Sequence, residues 1–280
     1  MAVWILVVGL WHGLYLPSVW AQAGKPEGLY YKSWAVVIGI EHYLVAPPVP
    51  GTVHDAKLVA EAFRRLGFDE VVEIYEKDAT SRHLHQLLTD ILPRKVGRMD
   101  RLVIFYTGHV GAIQDSDGEE RSYLVPIDAQ IAHPGKAVTV GHLKEFTRRI
   151  ASKHTVLLFD APVFGWEVTP PAKLSLEGRV APEEEMERRA VQVISAARKG
   201  EASVRVEGKS LFVQFLLAGL AGQADLDGNG WLVVSELGRY LVEQVEQASG
   251  GVQHPVSLRI DGDGDTVLIE GQKGAPPSVP

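Results

Sequence analysis

Three short runs of β-forming side chains constrain the fold of this chain more than any other feature. They are W-A-V-V-I-G-I at 34–40, L-V-I-F-Y-T at 102–107 and T-V-L-L-F at 155–159, and none of them contains a charge. A strand with one wet face alternates apolar and polar residues, whereas a run that is apolar throughout is buried on both faces, as in a parallel sheet covered by helices. V-Q-V-I-S at 191–195 reads as a further strand, and residues 71–76 as another.

Between these runs the apolar residues take helical spacing. Ala56, Val59, Ala60, Phe63 and Leu66 line one face of a helix predicted over 55–66, with Asp55 at its start, Arg64 and Arg65 at its end and Gly67 to close it. Thr80 caps a second helix carrying Leu84, Leu87, Leu88 and Ile91, which Pro93 is expected to stop. Leu143, Phe146 and Ile150 mark a third, and helices are predicted over 210–221 and 236–247. Strand and helix in alternation give an α/β chain with a mostly parallel sheet and helices on both faces. Residues 41–51, with Pro47, Pro48 and Pro50, and residues 167–189, with Pro170, Pro171, Pro182 and the acids 183–185, read as loops, the second solvated and mobile.

With 280 residues and 46% hydrophobic side chains the chain can build one large core. Its formal charge of -7 argues against a nucleic-acid partner, because neutralising phosphates takes a basic surface. Residues 1–23 are uncharged, hold an apolar run and end in Ala21-Gln22-Ala23, an A-x-A pattern; they read as a signal peptide, and hence as export to the periplasm or the cell exterior. A membrane association follows only if that segment stays uncleaved. Residues 24–32 form a lead-in, 33–270 the domain and 271–280 a disordered tail. There are no cysteines, so an exported form has no disulfides and relies on its core.

Two strand ends carry candidate chemistry. The run at 102–107 leads into Gly108-His109, and the run at 155–159 into Asp160-Ala161-Pro162. An imidazole near a turn that presents a nucleophile can form a nucleophile–base dyad; here the residue after Asp160-Ala161 is Pro162, which offers no nucleophile. Residues 225–236 match the calcium loop D-x-[DN]-x-[DN]-G-x5-E at every specified position. Asp225, Asp227, Asn229 and Glu236 supply side-chain oxygens, the Trp231 carbonyl a further ligand and Gly230 the sharp turn, which makes Ca²⁺ the cofactor to test. Asp261-Gly262-Asp263-Gly264-Asp265 opens with the same spacing, lacks the closing glutamate and reads as a turn.

Eight segments in order resemble the caspase-like fold, and within it the bacterial metacaspase-like members of the peptidase C14 group. They are W-A-V-V-I-G-I at 34, H-D-A-K-L-V-A-E-A-F at 54, L-G-F at 66, D-A-T at 78, R-L-V-I-F-Y-T-G-H at 101, Y-L-V-P-I-D-A at 123, V-L-L-F-D-A at 156 and V-I-S-A-A at 193. The resemblance implies a three-layer sandwich, a cysteine endopeptidase ancestry and roles for three residues. His109 falls at the position of the base, Asp160 at a position that helps recognise a basic substrate side chain, and Pro162 at the position of the nucleophilic cysteine. Proline removes both the thiol and the backbone N–H that would help hold an oxyanion. Val110 stands where the family has a second glycine. The expectation is a catalytically inactive pseudo-protease whose inherited groove binds a peptide, a protein or Ca²⁺, with partners that carry basic side chains. The alternative is an active hydrolase in which His109 serves a hydroxyl, for which Thr107, Ser116 and Thr155 are the nearest candidates in sequence.

Overall fold

The computed structural model describes residues 29–114, 117–131, 134–166 and 186–270. The expectations for the signal peptide, the tail, most of the lead-in, Ser116 and nearly all of the 167–189 loop therefore lie outside the described residues.

β1 (Ser33–Gly39) opens the central sheet and α1 (Thr52–Arg65) carries the chain back to β2 (Glu70–Tyr75). The end of α1 explains that return. Gly67 takes φ 75°, Phe68 N–H donates to Phe63 O at 3.1 Å and Gly67 N–H to Arg64 O at 3.0 Å, a Schellman stop available to a residue without Cβ. α2 (Ser81–Gln86) starts where Thr80 Oγ1 accepts the His83 N–H. Pro93 does not stop this helix. The chain widens into a π turn at Leu87–Ile91 and continues as α3 (Leu92–Lys95), with Pro93 in the first turn of that last piece, where its missing N–H is not demanded.

β3 (Arg101–Thr107) is followed at once by a hairpin of β4 (Val110–Gln114) and β5 (Glu120–Leu124), to which β6 (Val138–Thr139) adds a third strand. α4 (Val140–Arg149), β7 (His154–Asp160) and β8 (Ala190–Ser195) come next. A two-strand ribbon of β9 (Arg205–Val206) and β10 (Lys209–Ser210) leads into α5 (Leu211–Ala218). β11 (Leu232–Val233), α6 (Val234–Ala248), β12 (Val256–Gly262) and β13 (Val267–Ile269) complete the fold.

The sheet order is β12-β8-β7-β3-β1-β2, parallel throughout except for β12, which runs antiparallel on the β8 edge. Alternate residues of the buried strands feed two cores. Ala35, Val37, Val103, Phe105, Val156 and Leu158 pack under α1, α5 and α6. Val36, Ile38, Leu102, Ile104, Leu157 and Phe159 pack under α2, α3 and α4. The result is the expected three-layer α/β sandwich. Among the described residues no helix is long and apolar enough to cross a membrane.

Strand order reverses at β1: its next strand in sequence lies on one side, and β3, β7 and β8 build out on the other. In an open α/β sheet the crevice for ligands forms at the carboxyl ends of the strands, beside that reversal.

Candidate functional site

The register places the ends of the two candidate strands side by side. Thr107 at the end of β3 pairs with Asp160 at the end of β7. His109 and Pro162 each lie two residues beyond that row, past the ends of their strands.

Gly108 lets β3 end this way. Its φ is 154°, and a Cβ there would stand 2.4 Å from Tyr43 Oη. That hydroxyl accepts the His109 N–H at 2.7 Å, while Tyr106 Oη donates to His109 O at 2.6 Å. Burial pushes the Tyr43 phenol up to about 12, so both tyrosines stay neutral and act as hydrogen-bonding props. The His109 ring is tilted against Tyr43 at 4.8 Å between centroids, and its Nε2 is 2.8 Å from Pro47 O. A carbonyl only accepts, so Nε2 carries the proton and Nδ1 is left as the acceptor. The proline-rich loop after β1 thus holds the histidine from above.

Pro162 occupies a tight turn. Val163 N–H reaches Ala161 O at 2.9 Å across it, and also Ser195 Oγ at 2.9 Å. A three-residue turn of this hand needs φ near -75° at its centre, which proline's ring supplies. The Ser195 hydroxyl in turn donates to Ala161 O at 2.8 Å.

Asp160 is buried and its two oxygens are engaged. Oδ2 accepts from Thr107 Oγ1 at 2.9 Å, Oδ1 accepts from Ser210 Oγ at 2.6 Å, and Arg205 Nη1 stands 3.6 Å from Oδ2. Burial raises its carboxyl to about 6, against the pull of Ser210, Arg205 and Thr107. Asp55, from the first turn of α1, accepts from Arg205 Nη2 at 2.5 Å and from Ser210 N–H at 3.2 Å. Sequence reasoning assigned Asp55 only to a helix start and passed over Arg205 and Ser210. No local signal marks them, because Arg205 lies 150 residues from Asp55 in the chain.

Of the candidate alternative nucleophiles, the two among the described residues are committed elsewhere. The Thr107 hydroxyl is spent on Asp160. Thr155 bonds Ser152 near the opposite end of β7, five residues below Asp160, or roughly 16 Å at the rise of a strand.

The loop at 225–236 forms a separate site. Carboxylate oxygens of Asp225, Asp227 and Glu236 lie within 4.8 Å of one another. Gly230, at φ 86°, donates its N–H to Asp225 Oδ2 at 2.9 Å, and Trp231 N–H donates to Asn229 Oδ1 at 2.7 Å. Burial, with the charges of Asp227 and Asp225 adding to it, pushes Glu236 up to about 7. β11 pairs antiparallel with β13, so the loop is braced by a strand from the chain's far end. The 261–265 segment departs from the simple turn expected: Asp261 and Gly262 still belong to β12, and Asp265 is buried, accepting from Gln192 Nε2 at 2.7 Å.

Comparison with known proteins adds the family. The caspase domain profile of the peptidase C14 group matches residues 32–259. The crystal structure of a Geobacter sulfurreducens protein is similar with a TM-score of 0.57 at 15% identity, covering 81% of this chain and 93% of that one. At that identity the likeness concerns the fold. No curated protein matches the chain.

Proposed function

Because this chain belongs to the caspase domain family, matched over residues 32–259, we propose that it is an exported pseudo-protease, keeping the strand-edge groove as a peptide- or protein-binding site without its hydrolytic chemistry. The observation that carries this reading is Pro162. It follows the end of β7, next to the strand that leads to His109, in a chain with no cysteine, and offers neither a nucleophile nor an N–H. The His109 Nε2–H bond to the Pro47 carbonyl leaves Nδ1 able to act as a base, so on this reading the missing group is the nucleophile. Export rests on residues 1–23 alone.

The test is peptidase activity of the natural protein and of Pro162→Cys on a panel of peptides with arginine, lysine or neutral residues before the scissile bond. The expected result is an inert natural protein and a cleaving variant. Cleavage by the natural protein, lost in His109→Ala, would overturn the reading.

A second reading makes Ca²⁺ binding part of the function, favoured by the convergence of Asp225, Asp227 and Glu236. Asn229 and the Trp231 carbonyl would complete the oxygen set, and bound Ca²⁺ would neutralise the crowding that raises Glu236. Ca²⁺ at 100 times its Kd stabilises the fold by about 2.7 kcal/mol. The melting temperature should therefore rise with Ca²⁺ and not do so in Asp225→Ala; no rise in the natural protein refutes it.

A further inference from the structure

Just behind the row that carries His109 and Pro162, two carboxylates converge on one guanidinium. Asp55 is 1% exposed and Asp160 4%, and Arg205 reaches both, from a ribbon of two-residue strands whose turn holds Glu207 at φ 50° and Gly208 at φ 77°. Two buried anions facing one cation leave the pocket short of positive charge, the condition under which a basic side chain is drawn in.

Arg205 fills the pocket incompletely. Its contact with Asp160 is a single 3.6 Å approach, where an arginine built into a core commonly makes a two-pronged fork. Its Nε is buried with no hydrogen-bond partner among the described residues, and a fifth of the side chain still faces solvent, 19%. The ribbon is seated against the loop that holds His109. Gly208 O and Arg205 Nη2 would stand 2.3 and 2.7 Å from a Cβ at Gly51, where that loop ends.

We propose that Arg205 is an internal stand-in for a ligand's basic side chain, occupying the Asp55–Asp160 pocket, and that an arginine or lysine of a bound peptide enters only when the β9–β10 ribbon swings aside. The inference rests on the peptide-groove reading given above. It makes that groove self-occluded at rest, with the ribbon as its gate. Lysine or arginine peptides are then the partners that can open it, since they replace the charge they displace.

The experiment compares the natural protein with Arg205→Ala and Arg205→Gln, titrated calorimetrically with benzamidine and with Nα-acetyl-arginine methylamide. Acetyl-leucine methylamide serves as the control. Both variants should bind the basic probes at least about tenfold more tightly than the natural protein, and adding Asp160→Asn should remove the gain. If Arg205→Ala does not fold, Arg205→Gln keeps the length and packing of the side chain. A measurement that needs no variant is amide exchange over 204–210, which saturating benzamidine should speed. Equal binding by natural protein and variants overturns the plug, as does binding by neither or unchanged exchange. In each of those cases Pro162→Cys cleavage of peptides still decides the groove reading separately.

Discussion

His154 gives a quantitative test of how this fold is held at the end of the sheet away from the groove. Its ring is wholly buried at the start of β7, with Nε2 2.7 Å from Arg188 O and Nδ1 2.5 Å from Tyr30 Oη. Arg188 O can only accept, so Nε2 bears the proton and Nδ1 accepts from the tyrosine. A second proton has to go on Nδ1. It would turn the Tyr30 hydroxyl from donor to acceptor and place a buried cation near Lys153 and Arg101. Burial accordingly lowers His154 to about 4, from an ordinary 6.5.

The sign of the linkage follows. Between pH 6.5 and 4 the unfolded chain takes up a proton that the folded chain refuses, so stability is full above 6.5 and is lost as pH falls towards 4. A shift of that size is worth about 3 kcal/mol. Asp160, raised to about 6, and Glu236, raised to about 7, act in the opposite direction, because the folded state holds their protons more tightly. The raw pH profile therefore mixes all three. His154→Gln isolates one: its amide can donate to Arg188 O and accept from Tyr30, and it does not titrate. Urea unfolding of both proteins at pH 7.5, 6, 5 and 4.2 should show the stability difference, natural minus variant, falling by about 3 kcal/mol across the range. Parallel profiles would refute the reasoning.

Other perturbations follow from single contacts. Gly238→Ala would bring a Cβ within 2.2 Å of Ser257 Oγ where α6 crosses β12; thermal melts should show a loss of about 1–3 kcal/mol, relieved by Ser257→Gly. Asp100 accepts from Lys32 N–H and Trp34 Nε1 at 3.0 Å each and from Gly97 N–H at 2.8 Å. Asp100→Ala leaves those donors unpaired at a cost of about 1–3 kcal/mol for each buried one, and should shift Trp34 fluorescence. Tyr43→Phe removes the acceptor of the His109 N–H, and amide exchange at His109 should accelerate while exchange within β1 stays as it was.

Five of the six sheet strands are legible because they run parallel, and a parallel strand inside the sheet announces itself as a largely apolar run. The sixth does not: β12 is a half-exposed edge whose run V-S-L-R-I-D-G mixes apolar with polar and charged residues, so the sequence analysis singled out no strand there. Pro93 misled for a related reason: a proline forbids one hydrogen-bond register, and the π turn ahead of it supplies another. The acidic loop at 225–236 was readable because its ligands sit within twelve consecutive residues. The Asp55–Asp160–Arg205 pocket was not, since only the folded sheet brings its three members together.

The turn at Pro162 also determines how informative the cysteine substitution can be. The ring satisfies a φ that the turn imposes in any case, and Val163 N–H, bonded to Ala161 O and Ser195 Oγ, fastens the turn without help from residue 162. Exchanging proline for cysteine therefore breaks no hydrogen bond seen here; its cost is the added freedom of the unfolded chain, about 0.4–1 kcal/mol. It also adds a backbone N–H at residue 162, which on the proposed reading could help hold an oxyanion. A folded Pro162→Cys protein that does not cleave would thus locate the defect beyond the missing thiol. His109, with Nε2 bonded to Pro47 O, and Arg205, lying between Asp55 and Asp160, are the two places to look. Combining Arg205→Gln with Pro162→Cys separates them: recovery of cleavage assigns the block to the ribbon, and continued silence assigns it to the histidine and the proline loop that holds it.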